Sequence, residues 1–237
     1  MPNSYFQFKQ FKIEQNNCAN KVSTDACVFG AVVAQMLNNT HKILDVGCGS
    51  GLLSLMIAQK GANVIGIEIE NKCYQQAKEN IKESRFSSQI EIINDDIRTY
   101  KTEENFDFII SNPPFFNNTY KNPNETKNIA RQAETLCAED WIKIIENNTQ
   151  QNTILALLLS NNDVFEAYKN VFLKMKYSNQ KIIMLYDKEN AKCKRVILLA
   201  SKNDVLPNYT DKIIYKNNDN SYTQEFTNLL KSYYLYL

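Results

Sequence analysis

Lys42-Ile43-Leu44-Asp45-Val46-Gly47-Cys48-Gly49-Ser50-Gly51 passes from a short apolar run into three glycines at alternate positions, and Leu52, Leu53, Leu55, Met56 and Ile57 follow at once. The order reads as strand, glycine turn, helix. Glycines so placed let the backbone pass close beneath a ligand with no Cβ in the way, and the helix that follows starts with unpaired N–H groups. The spacing is Gly-x-Gly-x-Gly, not Gly-x-Gly-x-x-Gly, and no Lys-Ser or Lys-Thr pair follows. Both facts disfavour a pyrophosphate ligand. A second strand over 63–69 places Glu68 at its carboxyl end, about twenty positions after Gly47, where an acid accepts from the hydroxyls of a ribose. Asp95-Asp96-Ile97 closes a third strand over 90–93, which offers a carboxylate to an adenine amino group.

Further along, the apolar run 106–110 is followed directly by Asn112-Pro113-Pro114-Phe115. An amino group conjugated to a ring or carbonyl is a poor nucleophile, because its lone pair is tied up in the π system. The Asn112 side-chain oxygen and a proline carbonyl together accept both N–H hydrogens, since proline has fixed φ and no N–H of its own. That favours a pyramidal, nucleophilic nitrogen. Phe115 adds a flat face for an unstacked base, a contact worth roughly 1–3 kcal/mol. A proline-stiffened turn after a buried strand is the structural alternative. The polar stretch 116–134 that follows, with Lys121, Lys127 and Arg131, reads either as a loop gripping a substrate or as plain surface.

The pattern elsewhere alternates helix and strand. Helices are expected over 25–37, 71–82 (starting at Glu70 or Asn71), 140–147 and 164–174, and strands over 153–160, 181–185 and 195–200. The first helix is expected to carry its apolar residues on one face. Such alternation makes an α/β fold with a parallel sheet covered by helices on both faces, whose ligands collect at the carboxyl ends of the strands. A chain of 237 residues, 43% of them hydrophobic, buries one substantial core, so one domain over 1–237 is expected: a segment 1–40 covering the substrate or cofactor, and a core over 41–237.

Charge and cysteines narrow the function classes. Net charge is +1, but residues 169–216 carry eleven basic against four acidic side chains. That excess, with Lys9, Lys12 and Lys21, is either a set of solvated faces or a track for a phosphate backbone. Six cysteines (Cys18, Cys27, Cys48, Cys73, Cys137, Cys193) contain no Cys-x-x-Cys pair, so neither a disulfide framework nor a zinc site is expected. Cys48 reads as a space-filler in the glycine loop. His41 is the single histidine, which excludes chemistry built on several imidazoles. No apolar run reaches the roughly 20 residues of a membrane span and no leader pattern opens the chain, so the protein is expected in the cytosol, with no metal, no membrane and no obligate protein partner.

Asp45 to Gly51, Glu68, Asp96 and Asn112 to Phe115, in this order, resemble the successive motifs of class I S-adenosylmethionine-dependent methyltransferases that methylate amino groups. The resemblance implies a Rossmann-like, mostly parallel seven-stranded sheet whose last strand is antiparallel, with S-adenosyl-L-methionine as cofactor. It places Asp45, Gly47, Gly49 and Gly51 at the methionine end, Glu68 at the ribose, Asp96 at the adenine, and the target amino group on Asn112, with Pro113, Pro114 and Phe115 around it. More narrowly, Phe6-Gln7-Phe8-Lys9-Gln10-Phe11-Lys12-Ile13, Lys21-Val22-Ser23-Thr24-Asp25 and the ending Tyr222 to Leu235 resemble bacterial tRNA(Val) adenine-N6 methyltransferases. That adds Lys21, Thr24 and Asp25 to the expected cofactor site and a tRNA, tRNA(Val), as partner. Asn20 and Gln132 depart from that family's usual methionine and histidine. Guanine-N2 methyltransferases of ribosomal RNA and glutamine-N5 methyltransferases of release factors share the central motif and stand as alternatives. The latter carry a separate helical domain ahead of the core, for which about 40 residues are too few. A non-catalytic RNA-binding protein is disfavoured by the intact Asn112 and glycine loop.

Overall fold

A computed structural model of the chain describes residues 3–113, 137–161, 163–203, 206 and 211–237. Ten strands and six α-helices lie within them: β1 (Tyr5–Gln7), β2 (Lys12–Glu14), α1 (Thr24–Ala34), β3 (Lys42–Val46), α2 (Leu52–Ala58), β4 (Asn63–Ile67), α3 (Asn71–Lys82), β5 (Ile90–Ile93), β6 (Phe106–Ser111), α4 (Asp140–Asn148), β7 (Thr149–Ser160), α5 (Asp163–Lys174), β8 (Asn179–Tyr186), β9 (Arg195–Ser201), β10 (Lys212–Ile214) and α6 (Gln224–Leu230). Eight strands form one sheet in the order β10-β8-β9-β7-β6-β3-β4-β5. Every neighbouring pair is parallel except the two that involve β9. The mostly parallel α/β sheet and its antiparallel β9 match the expectation; the strand count does not. β10 adds an eighth strand at the edge, three residues paired to Met184, Leu185 and Tyr186, too short to carry a periodic signal of its own.

Alternation along the strands divides the core into two layers. Ile43, Phe108, Ile110, Ala156, Leu158, Ile197 and Leu199 face one side, with α1, α2 and α6, while Leu44, Ile109, Leu155, Leu157, Leu159 and Leu198 face the other, with Trp141, Ile144, Tyr168 and Phe172. Strands buried on both faces read as continuous apolar runs, which is why 153–160 stands out in the sequence. β7 nevertheless begins four residues early. Its register against β6 shifts between Phe106 and Phe108, where Thr153 donates its hydroxyl to the Phe106 carbonyl at 2.7 Å and accepts from the Gln150 N–H.

α1 also departs from expectation. Ala26 to Ala34 are buried without interruption, so the helix has no solvated face; α2 packs on one side and α6 on another. Ser23 caps it, its hydroxyl accepting from the Ala26 N–H. The contact with α2 is close at Gly30, where a Cβ would stand 2.8 Å from the Met56 sulfur.

The amino-terminal residues make a small hairpin, β1 against β2, held to the rest of the protein by polar groups. The Lys9 N–H donates to the Tyr233 carbonyl, and Phe8 bridges Tyr234 near the carboxyl terminus. Asn80, buried on α3, does more. Its Oδ1 accepts from the Glu14 N–H while its Nδ2 donates to the Glu14 and Ser50 carbonyls, all at 2.9 Å, so one side chain joins the hairpin to the glycine loop. Nearby, Cys18 and Cys73 form a disulfide with Cα atoms 4.9 Å apart, contrary to the expectation of none. They are 55 positions apart in sequence, and only the packing of the amino-terminal segment on the first turn of α3 brings them together.

Replacing Asn80 by Ala leaves three backbone groups without their partner. Thermal or urea unfolding is expected to show a loss of about 2–4 kcal/mol. Hydrogen exchange in the Asn80→Ala protein should rise first at Glu14; protection unchanged there would mean that the hairpin is held by its apolar contacts alone.

Candidate active site

The glycine loop is set by β4 rather than by free space. The Gly47 and Cys48 N–H groups both donate to the Ile67 carbonyl, at 2.9 and 3.1 Å, and the Gly49 N–H donates to Glu68 Oε2 at 2.8 Å. Three donors that could cradle a phosphate are therefore spent inside the protein, consistent with the glycine spacing. Gly47, Gly49 and Gly51 all have positive φ (68°, 58° and 82°). A Cβ on Gly47 or Gly49 would meet nothing within 4 Å, so their requirement is conformational and the space over the loop is open. Gly66 on β4 is a signal the sequence reading passed over. A Cβ there would stand 3.1 Å from the Cys48 side chain and 2.6 Å from Ile92, so its absence lets the loop lie flat on the sheet. Cys48 fills that contact as a buried thiol, its pKa pushed up by burial.

Glu68 is the hub. One carboxylate oxygen holds the Gly49 N–H and the other the Glu70 N–H, at 2.8 and 2.9 Å, with 8% of the residue exposed. Burial raises its pKa and the two amides oppose the rise. Each oxygen keeps a further acceptor direction, as two adjacent ribose hydroxyls require. Glu70, one strand step on, is not available for that role: both of its oxygens cap α3, accepting from Lys72 and Cys73 N–H.

Asp45, the penultimate residue of β3, is fully buried. Ser54 donates to its Oδ2 at 2.7 Å, while Oδ1 has no partner among the described residues. Burial lifts this carboxyl to about 7, the Ser54 hydrogen bond opposing and the Glu68 charge adding. Asn112 follows β6, whose Ser111 pairs with Val46 and donates to the Val46 carbonyl at 2.7 Å. Its Oδ1 is likewise buried without a partner among the described residues. Two acceptors without a partner among the described residues thus lie at the carboxyl ends of neighbouring strands. Pro113 is buried; Pro114, Phe115 and the stretch 116–134 with Lys121, Lys127, Arg131 and Gln132 lie outside the described residues.

The remaining expected residues are more dispersed. Asp96 turns its carboxylate onto Arg98, with Nε 2.9 Å from both oxygens and Nη2 2.6 Å from Oδ2, and that pairing lowers its pKa. Its side chain remains 29% exposed at the end of β5. Lys21 donates to the Gln15 carbonyl. Thr24 opens α1, and Asp25 accepts from the Tyr215 hydroxyl at 2.7 Å with Arg195 Nε at 3.8 Å. Those partners lie beyond β7, in a second cleft. His41 accepts from the Asn38 N–H at the turn before β3. No group of three or more His, Cys, Asp or Glu among the described residues could hold a metal ion, and no described helix is long and apolar enough to cross a membrane.

S-adenosylmethionine presents an ammonium, two ribose hydroxyls, an adenine amino group and a sulfonium cation, all of which seek acceptors or negative charge. The strand ends supply them: Asp45 and Asn112 with oxygens that have no partner among the described residues, Glu68 with two acceptor directions. The residues present therefore fit this cofactor.

Comparison with known proteins agrees with the geometry. Residues 23–178 match the model of the methyltransferase small domain family. The tRNA1(Val) (adenine(37)-N6)-methyltransferase of Cytophaga hutchinsonii is 33% identical over the whole of both chains, and that of Dyadobacter fermentans is 33% identical over 98% of each. Among solved structures, a predicted O-methyltransferase, Atu636, from Agrobacterium tumefaciens superposes with a TM-score of 0.67 at 17% identity, covering 88% of this chain and 96% of its own. The hMettl16 catalytic domain in complex with MAT2A 3'UTR hairpin 1 gives 0.58 at 15%, covering 85% and 78%. At such identities these two speak for the fold alone, but full-length relatives at one-third identity speak for more. The chain belongs to the methyltransferase small domain family, among the relatives of the tRNA1(Val) (adenine(37)-N6)-methyltransferases.

Proposed function

We propose that the protein methylates N6 of an adenine in tRNA, with S-adenosylmethionine as donor, and that the adenine is that of the anticodon loop of tRNA(Val) in the cytoplasm. The Oδ1 of Asn112, without a partner among the described residues, carries this reading. It is a buried acceptor at the carboxyl edge of the sheet, one strand from the glycine loop, and full-length relatives bear that activity in their names. Bound S-adenosylmethionine supplies an already activated methyl group, so no protein nucleophile is needed.

The chain's own residues then have three tasks. Glu68 holds the ribose diol while keeping Gly49 in place. Asp45 pairs with the ammonium through the oxygen that Ser54 leaves unused. Asn112 accepts one N–H of the target amino group, and the Pro113 carbonyl takes the other. As the nitrogen becomes tetrahedral its N–H groups grow more acidic, so these acceptors bind the transition state better than the flat ground state. The proton released goes to water. Taking the target base out of the stack costs a few kcal/mol, and less in a loop than in a duplex.

Glu68→Ala should weaken S-adenosylmethionine by about 1.5–3 kcal/mol in calorimetry, the usual worth of hydrogen bonds to a charged group. With Glu70 engaged at the α3 cap, no neighbour restores the contact, and an unchanged affinity would remove Glu68 from the ribose.

Asp45 makes cofactor binding depend on pH. Its carboxyl, lifted to about 7, is protonated in the free protein at lower pH and must ionise to pair with an ammonium. Affinity should therefore rise as pH climbs through 7, with a proton released on binding near pH 6.5. Calorimetry in two buffers of different ionisation enthalpy measures that proton directly. Asp45→Asn should abolish both the release and the slope.

Asn112→Ala should bind cofactor and RNA nearly as the wild type does, while its single-turnover rate falls by about two orders of magnitude. A variant that methylates tRNA at the wild-type rate would rule out the amino-holding role.

A further inference from the structure

A second cleft, of about 570 Å³, opens at the same sheet edge, lined by Thr24, Asp25, Lys192, Lys194, Arg195, Tyr215, Lys216 and Tyr222 among others. Antiparallel β9 is the reason it is there. Its first residue, Arg195, pairs with Ser160 at the end of β7 and with Leu185 near the end of β8, so a strand beginning delivers a cation where the parallel strands finish. Arg195 lies two strand intervals from Asn112, roughly 10 Å along the edge. Thr24 and Asp25 at the start of α1 form its wall.

The lining is unequal in charge: Lys192, Lys194, Arg195 and Lys216 against Asp25 and Asp187. Both acids are already engaged, Asp25 by Tyr215 and Arg195, Asp187 by Lys216 at 3.1 Å. Lys192 and Lys194 are exposed, and neither side chain has an ion-pair partner among the described residues. At the rim, Tyr222 stacks one ring face on Phe226 at 4.7 Å and 17°, yet stays 44% exposed. Surplus cations beside a braced aromatic plate are what a single-stranded nucleic acid requires, phosphates on the first and a base on the second. An acidic peptide would use the lysines but not the plate.

We propose that this cleft binds a nucleotide of the RNA flanking the target adenine, its phosphate among Lys192, Lys194 and Arg195 and its base on Tyr222. The proposal rests on the RNA reading given above and assigns a part of the molecule that reading leaves without a task. It also gives four of the eleven basic residues of 169–216, Lys192, Lys194, Arg195 and Lys216, a shared location.

The test uses the full-length protein with tRNA(Val) transcript. Lys192→Glu/Lys194→Glu should bind the transcript at least about tenfold more weakly, with a shallower slope of log affinity against log salt between about 50 and 200 mM, and should bind S-adenosylmethionine as the wild type does. Tyr222→Ala should raise KM for tRNA about tenfold, and Tyr222→Phe, which keeps the ring, should restore it. A double variant with wild-type RNA affinity and salt slope would overturn the proposal. So would a double variant that loses binding to polyglutamate but not to tRNA. Nucleoside analysis of the wild-type product tests the functional reading separately, because absence of N6-methyladenosine counts against that reading while the affinities still judge the cleft.

Discussion

A single buried carboxylate holds the site together. Glu68 sits where β4 ends, and by accepting from the Gly49 and Glu70 N–H groups it joins the glycine loop to the start of α3. Desolvation works against an ionised acid in such a place, and the pKa shift has that sign, but two backbone donors aimed at the oxygens offset part of the cost. Without the acid, Gly49 would have a buried N–H to satisfy and Glu70 would lose the anchor that orients its own cap. The group read from the sequence as a ligand contact is therefore also the brace for the glycine loop.

Around that brace, topology decides what can meet. Parallel strands finish on one edge, so Val46, Ile67, Ser111 and Ser160 present their following residues in a row. One antiparallel strand inverts the rule locally and brings in Arg195 from a distant part of the chain. The residues expected at the cofactor, Asp45, Glu68 and Asn112, stand on the β5-β4-β3-β6 side and the basic cleft on the β7-β9-β8-β10 side, where Thr24 and Asp25 line it. A substrate long enough to span the edge can touch both.

Much of this was legible because it is local. The strand at Lys42–Val46 and the helix at Asn71–Lys82 fall where the sequence pattern puts them, and the helix starts at Asn71, one of the two positions expected, with Glu70 as its cap. What was not legible depends on partners far away in the chain. Asn80 looks like any polar helix residue until Glu14 and Ser50 are placed beside it; Cys18 meets Cys73 across 55 positions; Asp25, read as a cofactor contact, has Tyr215 190 positions away as its hydrogen-bond donor. β10 failed to register for another reason, since three residues cannot establish a period. Gly66 was visible but unread: a glycine inside a strand is a sign of close backbone approach, and here the approaching chain is the loop itself.

Two buried oxygens without partners at neighbouring strand ends are costly to the free protein, since an unmade hydrogen bond at a buried acceptor costs about 1–3 kcal/mol. Other parts of the structure avoid that cost with care: Ser111, Thr153 and Asn80 each reach a backbone group. Two of the buried atoms without a partner among the described residues, at Asp45 and Asn112, fall on the residues expected to hold an ammonium and an amino group. Gln59 Oε1, Trp141 Nε1, Asn148 Oδ1 and the Tyr177 hydroxyl are also buried without a partner among the described residues, so it is position at the carboxyl edge of the sheet, and not the missing partner alone, that marks Asp45 and Asn112 as acceptors for donors arriving from outside. In the function proposed above, the free energy withheld from folding reappears as affinity for the cofactor at Asp45, and at Asn112 as affinity for a nitrogen in the act of becoming tetrahedral.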